Sequence, residues 1–371
     1  MTLFSKRFIK VPYSNNAWLD LKEALRLKAL EEGFDVVGFA PPQLPPHASH
    51  LDHWLAEKAH GGMAWMDRHA ERRKDPRLLM EGLGVMVVLG VSYAPGFDAM
   101  RHRDHPERPW IASYALHNDY HEVIKKRLKR LARWLESELG YRPDGRIFVD
   151  TAPVMEKPIG TMAGLGWQGK NTMLVSRSYG NWLFLSEFFL ALPIPADTPF
   201  EKDHCGSCDR CQVACPTGAL DRAYHLDASR CLSYITIEHD GPIPLDLRQA
   251  MGNRIFGCDD CLGVCPWNRF ASPHTDDHFM PREVLVNPDY EKLLALDEEG
   301  FRAMFRRSPI KRTGRLRMRR NIAVALGNWP SVKAKILLQK LMGDASELVR
   351  SHAQWGLMQR GKDMEKGDSH P

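Results

Sequence analysis

The pattern of apolar and polar positions in the first half of the chain predicts alternating helices and strands. Residues 17–33 carry apolar side chains at helical spacing and end in glycine, which predicts an amphipathic helix. Residues 119–140 repeat this pattern more strongly. Continuous apolar runs that predict buried strands occupy residues 34–40, 84–94, 146–150 and 182–192. We therefore expect a domain of mixed α/β or α+β class over residues 1–195.

The C-terminal part of the chain has a purely helical pattern. Segments 319–327 and 349–357 align with a period of 30, and each has an arginine followed by spaced apolar positions and a small residue. Repeats of the HEAT type show this pattern in their second helix, although two unrelated amphipathic helices would show it too. We expect an all-α, HEAT-like domain over residues 291–371, with a disordered tail from about residue 361.

Charge and hydropathy indicate the compartment and the kind of partner. The net charge is +5, and residues 302–320 contain nine Lys or Arg and no Asp or Glu. Such a run suits a polyanion such as nucleic acid, although it also suits a solvated face. The chain has no apolar run long enough to span a membrane and no secretory or twin-arginine signal. We therefore expect a cytoplasmic protein, monomeric by default.

The cysteines carry the clearest chemical signal in the chain. All eight lie between Cys205 and Cys265, and clustered cysteines in a reducing compartment favour metal binding over disulfides. The first run reads C-x2-C-x2-C-x3-C-P and the second reads C-x2-C-x3-C-P, with Cys231 between them. Paired C-x2-C knuckles also occur in zinc sites, but zinc does not require the triple spacing or the C-P endings. The pattern predicts a ferredoxin-like module with two 4Fe–4S clusters over residues 196–290.

The spacing also divides the thiolates between the two clusters. In two-cluster ferredoxins the cysteine before proline binds the other cluster. This rule uses all eight cysteines, although Cys231 could also be a buried free thiol. The first cluster would take Cys205, Cys208, Cys211 and Cys265, and the second would take Cys215, Cys231, Cys258 and Cys261.

Four segments together resemble one enzyme family. They read "YALHNDYHEVIKKRLKRL", "VDTAPVMEKPIGTMAGLGWQGKNTML", "RCLSYITIEHDGPIP" and "MGNRIFGCDDCLGVCPWNRF", and the chain is similar to epoxyqueuosine reductases from about residue 17 to about residue 360. The resemblance implies reduction of epoxyqueuosine to queuosine at the wobble position of tRNA. It also implies two 4Fe–4S clusters, cobalamin bound by the N-terminal domain, and C-terminal helices of the HEAT type that contact the tRNA.

The resemblance also implies roles for individual residues. Asp150 matches the proton donor, which must be desolvated to keep its proton at neutral pH; capping a following helix is its alternative role. Ser113, His117 and Asn118 depart from the usual family pattern. The expected cobalamin contacts are Arg73, Ser113, Asp150, Lys170, Asn171 and Thr172. The expected tRNA contacts are Arg312, Arg315, Arg317 and Arg320.

Two other functions fit parts of this pattern. The chain would be an electron-transfer protein if the two clusters had no catalytic partner. It would be similar to cobalamin-dependent reductive dehalogenases if its substrate were a small molecule, but the basic C-terminal region argues against that. For either enzyme, a flavodoxin or a ferredoxin is the expected electron donor.

Overall fold

The computed structural model describes residues 15–367. The strands are β1 (Val36–Ala40), β2 (Val85–Ser92), β3 (Trp110–Ile111), β4 (Gly145–Phe148), β5 (Trp167–Gln168), β6 (Leu174–Val175), β7 (Leu183–Leu190) and β8 (Arg254–Phe256). The helices are α1 (Asn15–Glu31), α2 (His50–Ala56), α3 (Ala64–Arg68), α4 (Ala70–Lys74), α5 (Tyr120–Leu139), α6 (Glu156–Met162), α7 (Arg210–Ala214), α8 (Leu232–Ile237), α9 (Leu245–Met251), α10 (Asp260–Gly263), α11 (Glu283–Val286), α12 (Tyr290–Ala295), α13 (Glu298–Met304), α14 (Gly314–Gly327), α15 (Val332–Leu341) and α16 (Glu347–Gly367). Short 3₁₀ helices lie at Pro76–Leu78, Ser113–Ala115, Ala228–Arg230, Pro266–Phe270, Asp277–Phe279 and Pro309–Thr313.

The four apolar runs of the N-terminal domain form one sheet in the order β1-β2-β7-β4. All its neighbouring strands are antiparallel, so the arrangement is α+β rather than a parallel α/β sheet. Every residue of β2 and β7 is buried, because helices cover both faces of the sheet. This explains why their sequences are continuous apolar runs rather than alternating ones.

The predicted amphipathic helix over residues 119–140 is α5, which covers one face of the sheet. Its buried residues include Ile124, Leu128 and Leu131, and they share a core with side chains from α1, β2 and β7. Gly140 ends the helix with a φ of 69°, a conformation that glycine adopts readily. Helix α6 packs on the opposite face of the sheet.

A short parallel pairing joins the N-terminal domain to the cysteine module. Strand β3 pairs with β8, with Trp110 opposite Arg254 and Ile111 opposite Phe256. The residues after β3 then enter a core that includes α12, α13 and α14. The segment that begins at Trp110 therefore lies where all three predicted domains meet.

The two segments of the predicted C-terminal repeat fall within α14 and α16. These helices pack closely, since a Cβ added to Gly327 would lie 2.8 Å from the Cα of Gly356. The backbone stays helical to Gly367, where we expected a disordered tail from about residue 361, and residues 368–371 lie outside the described range. Within residues 15–367, no helix has both the length and the apolarity needed to span a membrane.

Candidate functional site

Asp150 lies just after β4, in a loop held by several hydrogen bonds. Its Oδ2 accepts a hydrogen bond from the Tyr120 hydroxyl at 2.6 Å and lies 3.1 Å from His121 Nε2. Its backbone N–H donates to Glu156 Oε1 at 2.7 Å. The φ of Asp150 is 55°, which is uncommon for a residue with a side chain. Helix α6 begins only at Glu156, with Met155 as its N-cap, so Asp150 does not cap it.

His121 lies between two carboxylates, one at each ring nitrogen. Its Nδ1 is 2.7 Å from Asp119 Oδ1, and its Nε2 faces Asp150. Burial lowers the pKa of His121, but the hydrogen bonds to Asp119 and Asp150 outweigh burial and raise the pKa to about 9. At neutral pH His121 therefore carries a proton.

The surroundings of the Asp150 carboxyl favour its ionised form. Burial raises its pKa, but the hydrogen bonds from His121 and Tyr120 outweigh burial and bring the pKa below its usual value. Without substrate, Asp150 is a carboxylate beside a protonated His121. The proton is thus kept within the pair, but on the histidine.

Two further acids lie near Asp150. Burial, with repulsion from Asp150, raises the pKa of Glu156 to about 8. Glu187, in the middle of β7, is fully buried, and neither of its carboxyl oxygens has a hydrogen-bond partner among the described residues. Burial raises the pKa of Glu187 well above its usual value, and the charges of Glu156 and Asp150 add to this. Glu156 is therefore predominantly neutral at pH 7, and burial favours the neutral form of Glu187.

Two of the expected cobalamin contacts lie close to this carboxylate cluster or to the second cysteine run. Arg73 is half-buried, interacts electrostatically with Glu156 and Asp150, and has no hydrogen-bond partner for its Nε among the described residues. Ser113 is buried, its N–H donates to Asp259 Oδ2 at 2.7 Å, and its side chain also interacts with the Asp259 carboxylate. Arg73 therefore presents a polar atom that another group would have to satisfy.

Of the other departures from the family pattern, His117 is buried and Asn118 is half-buried. His117 is buried against the rings of Phe184 and Phe279. Burial lowers the pKa of His117 to about 4, so the imidazole is neutral. The side chain of Asn118 accepts a hydrogen bond from Arg282 at 3.3 Å.

The glycine-rich loop before β6 holds the cysteine module in place. Lys170 Nζ donates to the carbonyls of Gly206 at 2.6 Å and Cys208 at 2.9 Å. The side-chain amide of Asn171 donates to the carbonyl of Cys261 at 3.3 Å. We expected both side chains to contact the cofactor, and the structure instead bonds them to the two cysteine runs. Thr172, with a φ of 64°, completes the turn, and its cofactor contact stays a prediction.

All eight cysteines are free, and most of their electrostatic neighbours among the cysteines belong to the same predicted group, while the division itself stays a prediction. Burial raises the pKa of Cys265, and Cys208 adds to the effect. Burial likewise raises the pKa of Cys231, with a contribution from Cys215. Cys261 is influenced by both Cys231 and Cys215, and also by Cys211 of the other group. Among residues 15–367, no three His, Cys, Asp or Glu side chains are gathered as they would be around a single metal ion.

A cavity of about 920 Å³ opens beside the cysteine module. Its walls include Trp182, Val213, Cys265 and Arg269, but not Asp150. The cavity therefore adjoins the predicted first cluster, whereas the proton-holding residues lie elsewhere.

The basic run between residues 302 and 320 divides into an exposed half and a half-buried one. The exposed members are Arg302, Arg306, Arg307, Lys311 and Arg312. Arg312 pairs with Glu238 and contributes electrostatically to lowering the pKa of Asp150. Arg312, in the exposed half, therefore lies near the Asp150 site.

The second half of the run does not form an open basic surface. Arg315 donates to the carbonyl of Leu296 and Arg317 to that of Thr313, and both are half-buried. Arg320 is fully buried, and its guanidinium donates to the carbonyls of Ile235, His239 and Gly241. The prediction of a tRNA contact at Arg320 is therefore wrong, because this side chain stabilises the interior.

The sequence reasoning missed Tyr120, His121, Glu156 and Glu187 as members of the site. The available signal was clearest for Glu187, an acid in the middle of the apolar run "LFLSEFFL", where a charged residue is not expected without a function. No pattern links Tyr120 and His121 to Asp150, because the contact depends on how α5 packs against the sheet.

Two family models match the chain. The first is described as a 4Fe-4S double cluster binding domain and matches residues 204–268. The second is described as "Epoxyqueuosine reductase QueG, DUF1730" and matches residues 73–151. The first matched range contains all eight cysteines, and the second contains Asp150 near its end.

Curated relatives and solved structures match almost the whole chain. Epoxyqueuosine reductase from Pseudomonas aeruginosa is 44% identical over 92% of this chain and 95% of its own length. The Escherichia coli enzyme is 39% identical over 92% of this chain and 89% of its own.

Among solved structures, an epoxyqueuosine reductase bound to an epoxyqueuosine-modified tRNA stem loop aligns with a TM-score of 0.84 and 28% identity over 95% of both chains. The Bacillus subtilis enzyme, with its catalytic aspartate loop swung out of the active site, aligns with a TM-score of 0.83 and 28% identity over 95% of both chains.

Proposed function

The chain belongs to the epoxyqueuosine reductase family, and we propose that it reduces epoxyqueuosine to queuosine in the anticodon of tRNA. The observation that carries this proposal is the pairing of Asp150 with a protonated His121, next to the charge of Arg312 from the basic run. Conversion of an epoxide to an alkene removes one oxygen as water and therefore consumes two electrons and two protons. The site provides a proton source, and the cysteine module provides a path for electrons.

The proton chemistry falls to Asp150 and its two neighbours. The Tyr120 hydroxyl fixes the Asp150 carboxylate, and His121 holds the proton that this carboxylate lacks. When the modified base excludes water from the site, the proton moves from His121 Nε2 to Asp150 Oδ2. The carboxyl then gives the proton to the departing epoxide oxygen as a general acid. His121, left neutral, takes the next proton from solvent.

We infer that cobalamin binds in the N-terminal domain, over residues 1–195. Support comes from the Nε of Arg73, which has no hydrogen-bond partner among the described residues and is suited to the amide side chains of such a cofactor. When bound, cobalamin supplies a reducing metal centre that the amino acids do not provide. The chain's own residues position the carboxyl of Asp150, exclude water and deliver protons.

We assign two 4Fe–4S clusters to the module over residues 196–290. The set Cys205, Cys208, Cys211 and Cys265 would hold the first cluster, and the set Cys215, Cys231, Cys258 and Cys261 would hold the second. The second cluster would lie nearer the reaction, because Asp259 contacts Ser113 directly. Electrons would enter at the first cluster from a flavodoxin or a ferredoxin, since Cys265 borders the open cavity with Arg210 and Arg269.

We assign tRNA contact to the C-terminal helical domain, over residues 291–371, and regard its packed helices as HEAT-like. The exposed basic residues that lead into α14 would bind phosphates and give salt-dependent affinity. Arg312 is best placed, because its charge acts on Asp150. The modified base would leave its stack to reach the site, as in other enzymes that react with bases.

Electron consumption tests the proposal directly. The holoprotein, with clusters and cobalamin restored, should oxidise reduced methyl viologen only when an epoxyqueuosine-modified stem loop is present. An unmodified stem loop is the matched control. Equal oxidation with both stem loops, or with a small organohalide alone, would overturn the tRNA assignment.

A further inference from the structure

The loop that carries Asp150 is held at its backbone by one side chain. Glu156 Oε1 accepts the Asp150 N–H at 2.7 Å, across the turn that leads into α6. Asp150 has a φ of 55°, a conformation that persists in a non-glycine residue only when its surroundings hold it. His121 and Tyr120 bind the carboxylate of Asp150, whereas Glu156 binds its main chain. Glu156 is therefore the contact that fixes the path of the loop.

The surroundings of Glu156 contain charges of both signs. The Asp150 carboxylate repels an ionised Glu156, and this repulsion outweighs the hydrogen bond from the Asp150 N–H, which favours the ionised form, as do Lys157 and His121. Arg73 and Tyr120 also interact with Glu156, and Glu187 from β7 is an acid in the same cluster. An ionised Glu156 would place a second negative charge next to the Asp150 carboxylate in a partly desolvated site. A neutral Glu156 can accept the same N–H without that repulsion.

We propose that Glu156 is a positioning residue that keeps the Asp150 loop in the site while its carboxyl is neutral and releases the loop when it ionises. This inference rests on the proposed function, because it concerns the acid of that reaction. In the Bacillus subtilis structure a catalytic aspartate loop is swung out of the active site; here Asp150 contacts Tyr120 and His121.

The proposal has a defined pH dependence. Burial and the charge of Asp150 raise the pKa of Glu156 to about 8. The hydrogen bonds to Asp119 and Asp150 raise the pKa of His121 to about 9, against the effect of burial. Both raised values mean that the working form exists at lower pH and is lost as pH rises. The loop is therefore released first, through about pH 8, and the proton of His121 is lost next, through about pH 9.

Hydrogen exchange at the Asp150 amide tests the hold on the loop without requiring turnover. In the holoenzyme at neutral pH, Glu156→Gln should leave exchange of a peptide that covers residues 146–156 as in the unmodified chain, because the glutamine carbonyl still accepts the N–H. Glu156→Ala removes the acceptor and should speed exchange about tenfold. Glu136→Gln, on the exposed face of α5, is the matched control. Unchanged protection in Glu156→Ala would overturn the proposal.

The pH profile of epoxyqueuosine reduction tests the charge dependence. In Glu156→Gln the alkaline limb should move from about 8 to about 9, since only His121 still titrates there. In Glu156→Ala kcat should fall while KM for the stem loop changes little, because the acid and not the binding surface is displaced. A Glu156→Gln enzyme that keeps its limb near 8 would refute the charge-dependent part. If no chain converts the stem loop, the proposed function fails, while the exchange experiment still decides the role of Glu156.

Discussion

The cysteine module and the Asp150 site differ in how their buried ionisable groups are balanced. In the module, burial raises the pKa of thiols such as Cys211, Cys231 and Cys265, and neighbouring cysteines add to the effect. In the Asp150 site, a protonated His121 lies between two carboxylates and balances them.

This difference shows which region is already organised for its role before a metal or a substrate binds. The thiols must lose their protons to bind iron, so metal binding supplies the energy that burial opposes. The Asp150 site holds its charges with its own side chains and is organised in advance for proton transfer. Damage to the module should therefore remove a bound group, whereas damage to the Asp150 site should slow chemistry and leave the bound groups in place.

The largest expected effect comes from substitutions that disrupt the cysteine module alone. Cys208→Ser should remove the first cluster and Cys215→Ser the second, so each protein should keep about half of its iron and lose all turnover. Iron analysis of anaerobically reconstituted protein measures this, with the exposed Val213→Ala as control. Full iron content in either serine variant would refute the division of ligands.

The next effect breaks the Asp150 site alone. Asp150→Asn keeps the size of the side chain but removes the acid, so turnover of the modified stem loop should fall by about 10²–10⁴. Iron and cobalamin contents should equal those of the unmodified chain. A variant with full activity would remove Asp150 from the mechanism.

A smaller expected effect distinguishes the role of His121, which holds the proton, from that of Asp150, which donates it. In His121→Gln the rate at neutral pH should fall by about tenfold, less than in Asp150→Asn, because water can still protonate Asp150 slowly. In a Glu156→Gln background, activity should fall as pH rises through about 9, where His121 loses its proton. Steady-state rates between pH 6 and 10 measure this, and the same fall in a Glu156→Gln protein that also carries His121→Gln would contradict the assignment.

The smallest expected effect comes from substitutions outside both the cysteine module and the Asp150 site. Replacing Arg306, Arg307 and Lys311 with alanine should weaken stem-loop binding and reduce the salt dependence of log Kd by about 1 per lost phosphate contact. Iron and cobalamin contents should not change. The matched control replaces Lys125, Lys126 and Lys129, which are equally exposed on α5. Equal weakening by both triple variants would show that only net charge matters.

The sequence allows local features to be predicted well. The two-cluster module follows from the cysteine spacing, and the family model for a 4Fe-4S double cluster binding domain matches it. The bounds of α5 follow from its apolar period and from Gly140, which ends the helix. The approximate positions of the sheet strands along the chain also follow from the apolar runs. Each of these signals depends on residues close together in the chain.

Features made by distant segments could not be predicted in the same way. The apolar runs do not show whether buried strands run parallel, and the sheet is antiparallel. The Asp150 site joins α5, the loop after β4 and the start of α6, and only packing determines the charge on Asp150. The sequence shows that residues 302–320 are basic, but it does not show which of them are exposed. Arg320 donates to the carbonyls of residues about 80 positions earlier in the chain, and no local pattern reveals such a contact.

The most direct test of the account is the identity of the product. The holoenzyme, with a chemical reductant under anaerobic conditions, is incubated with an epoxyqueuosine-modified stem loop, and the nucleosides are then analysed by mass spectrometry. The account predicts loss of one oxygen atom and formation of queuosine. An unchanged modified nucleoside, from protein shown to contain both clusters and cobalamin, would contradict it.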